Sequence, residues 1–148
     1  MDDSRFNTDK ITVHGYFQTY ARLAGELGPH ARVCELGVES GESLRMFMAL
    51  FPVGEVTGVD SNSGAVWPEG AVKVLAMHDD AHLPALLGGT FDLIVDDGGH
   101  QGDVVRRAVD LLWPSVRPGG YYGVGGGAGS LRGADRPGAP RGPPGGPG

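Results

Sequence analysis

The 148-residue sequence predicts an α/β fold, a doubly wound parallel sheet with helices on both faces. Two observations predict it. Short apolar or β-branched runs alternate with helix-length segments along the chain. The runs and segments are punctuated by Gly, Pro and Asx-type residues that close strands and helices.

The elements follow in order. Val13–Leu27 reads as a helix packed on the sheet and ended by Gly28-Pro29. Ala31–Leu36 is a first strand, closed by Gly37. Ser43–Phe51 is long-chain apolar, free of Gly and Pro, and stopped by Pro52, which makes it a helix. Glu55–Asp60 is a second strand, closed by Ser61-Asn62-Ser63-Gly64; together these three form one βαβ unit. Ala71–Ala76 gives a third strand, and His82–Leu87 a short helix with Gly88-Gly89 as its stop. Phe91–Val95 is a fourth strand. Gln101–Trp113 is a helix with Val104, Val105, Ala108, Leu111 and Leu112 on one stripe. Pro114 and the turn Arg117-Pro118-Gly119-Gly120 end it, and Tyr121–Val124 is a fifth strand.

Composition divides the chain in two. Residues 125–148 hold 10 of the 27 Gly and 5 of the 11 Pro, with no aliphatic pattern beyond Leu131. Such a segment buries too little to offset its ordering entropy, so residues 1–124 are expected to be the globular body and 125–148 a disordered tail. The tail's composition also fits a GC-rich gene read out of frame, so a frame-shifted or truncated end is expected. The body carries 9 basic and 17 acidic residues, which disfavours a nucleic-acid partner. Cys34 is the one cysteine, excluding an internal disulfide and a cysteine-based zinc cluster. No apolar run reaches the roughly 20 residues that span a bilayer, and the acidic start is unlike a secretory leader. A cytoplasmic protein with no membrane association is expected.

In an open parallel sheet the ligand lies beyond the carboxyl ends of the strands, near the point where strand order reverses. After the first strand the sequence reads Glu35-Leu36-Gly37-Val38-Glu39-Ser40-Gly41-Glu42-Ser43, an E-x-G-x-x-x-G pattern entering a helix. Gly37 and Gly41 allow a sharp turn and close approach to a ligand. Asp60, 19 residues past Gly41, ends the second strand, where an acid can take both hydroxyls of a ribose; it is also good turn chemistry. A dinucleotide loop needs G-x-G-x-x-G, yet Glu39 stands at the second glycine and Glu42 follows closely. Carboxylates beside a pyrophosphate are unfavourable in a poorly solvated site. S-adenosylmethionine carries a sulfonium and an ammonium and no phosphate, so an acidic loop suits it, with Glu35 accepting from its amino group.

With these residues on the page, the body resembles class I S-adenosylmethionine-dependent methyltransferases, with their Rossmann-like sheet. More narrowly it looks like metal-dependent sugar O-methyltransferases of macrolide and rhamnosyl natural-product pathways. Three segments carry the likeness: Thr8-Asp9-Lys10 through His14-Gly15-Tyr16 and Tyr20; Glu35–Val38 through Gly41–Arg45; and Asp96-Asp97-Gly98-Gly99-His100. The resemblance implies a cofactor site of Glu35, Gly37, Gly41, Ser43, Asp60, Asp79 and Asp96. It implies Asp97 as a ligand for Mg²⁺ and His100 as general base toward a small-molecule hydroxyl acceptor. Family members follow the fifth strand with a Glu-Asp pair that completes the metal site. Here Gly125 and Gly126 follow Val124, and the last strands of the methyltransferase sheet are expected to be missing. Poor metal affinity and an unpaired fifth strand prone to self-association are therefore expected. The alternative reading is a catalytically inactive remnant that binds the cofactor or forms homo-oligomers.

Overall fold

A computed structural model describes residues 14–97, 102–125 and 131–135. Six strands form one sheet in the order β3-β2-β1-β4-β5-β6. They are β1 (Arg32–Leu36), β2 (Glu55–Asp60), β3 (Val72–Leu75), β4 (Phe91–Asp96), β5 (Val116–Val124) and β6 (Leu131–Gly133). The first five are mutually parallel, and β6 runs antiparallel to β5. Strand order reverses between β1 and β4, so the crevice foreseen from the sequence opens at the ends of these two strands.

Side-chain alternation on the strands builds a core on each face. Val33 and Cys34, adjacent in β1, enter different clusters. Helices α1 (His14–Leu27) and α2 (Glu42–Leu50) cover one face with Phe17, Tyr20, Leu23, Leu44, Met46 and Phe47. The Tyr20 and Phe47 rings meet edge-on at 5.2 Å. Helices α3 (Leu83–Leu87) and α4 (Gly102–Leu112) cover the other face, placing Leu83, Leu87, Ala108 and Leu112 against Cys34, Leu36 and Ile94. β4 is buried along its whole length, as a central strand covered on both sides must be. Among the described residues no helix is long and apolar enough to cross a membrane.

The sheet departs from the sequence reading at its far edge. β5 begins at Val116 and runs through the Pro-Gly-Gly segment read as a turn. Its register against β4 shifts between Phe91 and Leu93, and Gly120 lies so close to the Asp92 carbonyl that a side chain there has no room. Glycine here makes an irregularity within the strand. β5 is also paired on its outer side, where an open edge was expected: Tyr121, Tyr122 and Gly123 face Gly133, Arg132 and Leu131 of β6. Leu131–Gly133 therefore lie in the sheet, although the expectation of disorder began at residue 125. Two features missed in the composition argument make the strand: Leu131 packs onto the α1/α2 core, and the Arg132 guanidinium sits 4.4 Å over the Trp113 ring.

Candidate functional site

Leu36 lies level with Asp96, and the Asp97 N–H donates to the Leu36 carbonyl at 2.8 Å, so the ends of β1 and β4 are tied together. From there the chain turns through Gly37 (φ 98°), Glu39 (φ 49°) and Gly41 (φ 78°) before entering α2. Three left-handed residues in five produce the sharp loop, and two of the three are glycine. Glu39 is the non-glycine residue held at positive φ among the described residues. At Gly41 the need for glycine has a second cause. A Cβ there would run into the Val66 carbonyl, and Pro68 Cδ lies 3.1 Å away. The close approach read from the sequence as room for a ligand is, at this position, room for the protein's own backbone.

Glu35 and Asp96 are the acidic heart of the crevice. Glu35 is fully buried in β1, not a solvated strand end, and Asp96 is 2 % exposed at the end of β4. Glu35 is level with Val95, one residue before Asp96, so strand alternation sends the two carboxylates to opposite faces. Two carboxyl side chains are thus buried at this end of the sheet, where the ligand crevice of such a fold opens. Ser43 is buried in the first turn of α2.

Asp60 braces the loop. Its Oδ2 accepts from the N–H groups of Val38 (2.9 Å) and Glu39 (3.3 Å), and its Oδ1 accepts from Asn62 N–H at 2.8 Å. Partial burial opposes ionisation of this carboxyl. The Asn62, Val38 and Glu39 N–H groups and the nearby His78 outweigh that, holding it below the usual carboxylate range. Oδ1 is thus engaged in the turn chemistry that the sequence also allowed, and Oδ2 in holding the loop after β1. Asp79, which the resemblance places in the cofactor site, accepts from Arg107 Nε of α4 at 3.0 Å and anchors the β3–α3 connection.

Asp97 is exposed at the end of β4, its Oδ1 2.5 Å from where a Cβ on Gly125 would stand. Among the described residues no group of three His, Cys, Asp or Glu side chains could hold a metal ion. Mg²⁺ usually takes only one or two protein carboxylates and completes its shell with water and substrate oxygens, and Asp97 is an exposed carboxylate placed to serve as one. His100 lies outside the described residues, with Gly98, Gly99 and Gln101. On the α4 face, Tyr122 is buried with its hydroxyl lacking a hydrogen-bond partner among the described residues; burial and the Asp96 charge push its ionisation up. Burial, with Glu35 next to it, likewise pushes the Cys34 thiol up, consistent with a packing residue.

The sequence reading missed the segment after β2. Val66 N–H donates to the Glu39 carbonyl at 2.8 Å, and the Trp67 ring lies over Gly58 with Val38 and Leu44. The available signal was Gly58 itself, a glycine inside a strand, which marks a close approach by another group. Leu75, level with Asp60, and Met77 are exposed apolar residues beside the same strand ends.

A doubly wound sheet with an acidic, glycine-turned loop at its reversal point defines an α/β ligand-binding domain of the nucleotide-cofactor type. A family model described as a methyltransferase domain matches residues 34–124, and the chain belongs to that family. It is 34 % identical over 132 residues to the mycinamicin VI 2''-O-methyltransferase of Micromonospora griseorubida, covering 80 % of this chain and 33 % of that protein. It is 34 % identical over 118 residues to a tetracenomycin rhamnosyl 3'-O-methyltransferase of Streptomyces olivaceus, covering 72 % of this chain and 30 % of that protein. The solved MycE methyltransferase of the mycinamycin biosynthetic pathway, in complex with Mg, SAH and mycinamycin VI, superposes with a TM-score of 0.65 at 32 % identity. That match covers 72 % of this chain and 32 % of MycE. The chain spans about a third of the length of these relatives.

Proposed function

We propose that this chain carries the S-adenosylmethionine site of an O-methyltransferase acting on a hydroxyl of a sugar or small natural product. One observation carries the reading: two buried carboxylates, Glu35 and Asp96, flank the reversal point of the sheet in a chain related to sugar O-methyltransferases. Buried negative charge favours a ligand bearing an ammonium and a sulfonium, and Glu39 in the loop disfavours a pyrophosphate. Glu35 would accept from the ligand's amino group, with Gly37 and Ser43 beside it and Asp96 on the other wall. The exposed Leu75 and Met77, next to Asp60, offer apolar surface for a flat base.

Bound there, the cofactor supplies a methyl group on a positively charged sulfur whose departure leaves a neutral thioether. The remaining work is positioning and proton removal. Alignment of the acceptor oxygen with the methyl carbon and sulfur lowers the barrier by making the encounter unimolecular. His100, as a neutral imidazole, would take the proton from the attacking hydroxyl. Asp97 would be the residue to hold a Mg²⁺ ion, which when bound would make the acceptor hydroxyl more acidic.

Calorimetry with S-adenosylhomocysteine and with NAD tests the cofactor assignment. The adenosyl thioether should bind and Glu35→Gln should weaken it; preference for NAD overturns the reading. Incubation with labelled methyl donor and candidate glycosides, with and without Mg²⁺, tests turnover, which His100→Ala should abolish. A second reading is favoured by Gly125, a residue without a carboxylate, standing beside Asp97 at the end of β5: a chain that binds the cofactor without turnover. Binding with no methylated product at any Mg²⁺ concentration selects it.

A further inference from the structure

The loop that turns from β1 into α2 is held from outside by the segment 65–70, and one aromatic side chain fastens that segment to the sheet. Val66 grips the loop through both of its backbone groups. Its N–H donates to the Glu39 carbonyl at 2.8 Å, and its own carbonyl fills the space over Gly41. Next along the chain, the Trp67 ring rests on Gly58 of β2. A Cβ at Gly58 would come within 2.9 Å of Trp67 Cζ3, 2.8 Å of Val38 Cγ2 and 2.7 Å of Leu44 Cδ1, so this missing side chain is the seat of the indole. Lys73 Nζ lies 5.3 Å from the centre of the same ring. The indole N–H is buried without an acceptor among the described residues, so the ring is held by its shape and not by its polar atom.

We propose that Trp67 is a positioning residue for the cofactor loop: seated on Gly58, it fixes Val66 against Glu39 and Gly41 and so sets the loop conformation that receives the ligand. This role rests on the cofactor reading given above. The left-handed turns at Glu39 and Gly41 are unfavourable conformations for a free chain, at least for a residue with a side chain, and persist when the surroundings over-determine them. Asp60 constrains the loop from β2, and the Trp67 segment constrains it from the opposite end, at Glu39 and Gly41.

The test compares wild type, Trp67→Phe and Trp67→Ala by calorimetry with S-adenosylhomocysteine and by amide hydrogen exchange. Trp67→Ala should weaken binding by roughly tenfold or more, and should speed exchange at Val38, Glu39 and Val66 while Cys34 and Ile94 in the central strands stay protected. Trp67→Phe, which keeps an aromatic ring to seat on Gly58 but is smaller and lacks the N–H, should stay within roughly threefold of wild type. In a Trp113→Phe background, the emission of Trp67 should change on saturation with S-adenosylhomocysteine. Folded Trp67→Ala protein that binds as tightly as wild type, with unchanged exchange at Val38 and Glu39, overturns the role alone. Wild-type protein that does not bind S-adenosylhomocysteine overturns the cofactor reading and the role together.

Discussion

Asp97 Oδ1 occupies the space that a side chain at Gly125 would need, its position being 2.5 Å from the Cβ of any such residue. The ends of β4 and β5 also meet through the Gly125 N–H, which donates to the Asp96 carbonyl at 2.7 Å. A carboxylate grafted at 125 would therefore arrive directly beside Asp97, and Asp97 is exposed enough to rotate aside. Hard divalent ions gain affinity with each added carboxylate oxygen. Gly125→Glu is expected to tighten Mn²⁺ binding by roughly tenfold over the wild type, about 1.4 kcal/mol. Electron paramagnetic resonance of free Mn²⁺ checks this. Tight Mn²⁺ binding by the wild type, lost in Asp97→Asn, would contradict the account of the donor set.

At the opposite end of the sheet, Arg32 gathers four elements. Its guanidinium donates to the carbonyls of Leu87, Gly88 and Thr90 and to Glu55, while lying 4.2 Å over the Phe91 ring. Two of those carbonyls close α3, where a cation also meets the negative end of the helix. Arg32→Met keeps the aliphatic stem and removes the donors, and should cost about 2 kcal/mol of stability. Arg32→Lys should recover less than half of this, since an ammonium cannot span the same acceptors. Urea unfolding measures both; a Met variant as stable as wild type would refute the assignment.

Asp60 gives a pH dependence whose sign is fixed by its environment. Its carboxyl titrates lower in the folded protein than in the unfolded chain, because the N–H groups of Asn62, Val38 and Glu39 outweigh the cost of burial. Its contribution is therefore complete above the unfolded value of about 3.9 and fades as pH falls through the lower folded value. Asp60→Asn should lower Tm at pH 7, with the gap from wild type narrowing below about pH 4. A gap of constant size across that range would show that the charge of Asp60 plays no part.

The parts of this structure legible in the sequence are those where one local pattern decides the outcome. β1, β2 and β4 are short runs of apolar residues, and their boundaries agree with the reading to within a residue. Glu35 is legible as a candidate because it lies at a strand end beside a reversal point, a position defined by topology, and Asp96 through the family resemblance. Trp67 escaped notice because its role depends on Gly58, nine residues away, which has meaning only once the ring is seen resting on it. The ion pair of Asp79 is hidden for a similar reason: nothing local shows that Arg107, 28 residues later, will reach it. The Arg117–Gly120 segment was misread because Pro-Gly-Gly signals a turn and an irregular strand equally well.

β6 shows how little sequence suffices to close an edge. Ala134 extends the pairing, donating to the Gly120 carbonyl and accepting from the Gly119 N–H, each at 2.8 Å. Leu131 packs over Gly123 on one face, and Arg132 covers Trp113 on the other, so both sides of a three-residue strand are anchored. Removing residues 131–148 would bare the outer N–H and C=O groups of β5, which include a template ready for another chain. The shortened protein is expected to shift toward larger species with rising concentration in analytical ultracentrifugation, relative to the full chain. Arg132→Ala, which keeps the backbone pairing, should instead cost only about 0.5–1 kcal/mol in urea unfolding and leave the association state unchanged. If the deletion sediments like the full chain at every concentration, the edge of β5 is protected by something other than β6.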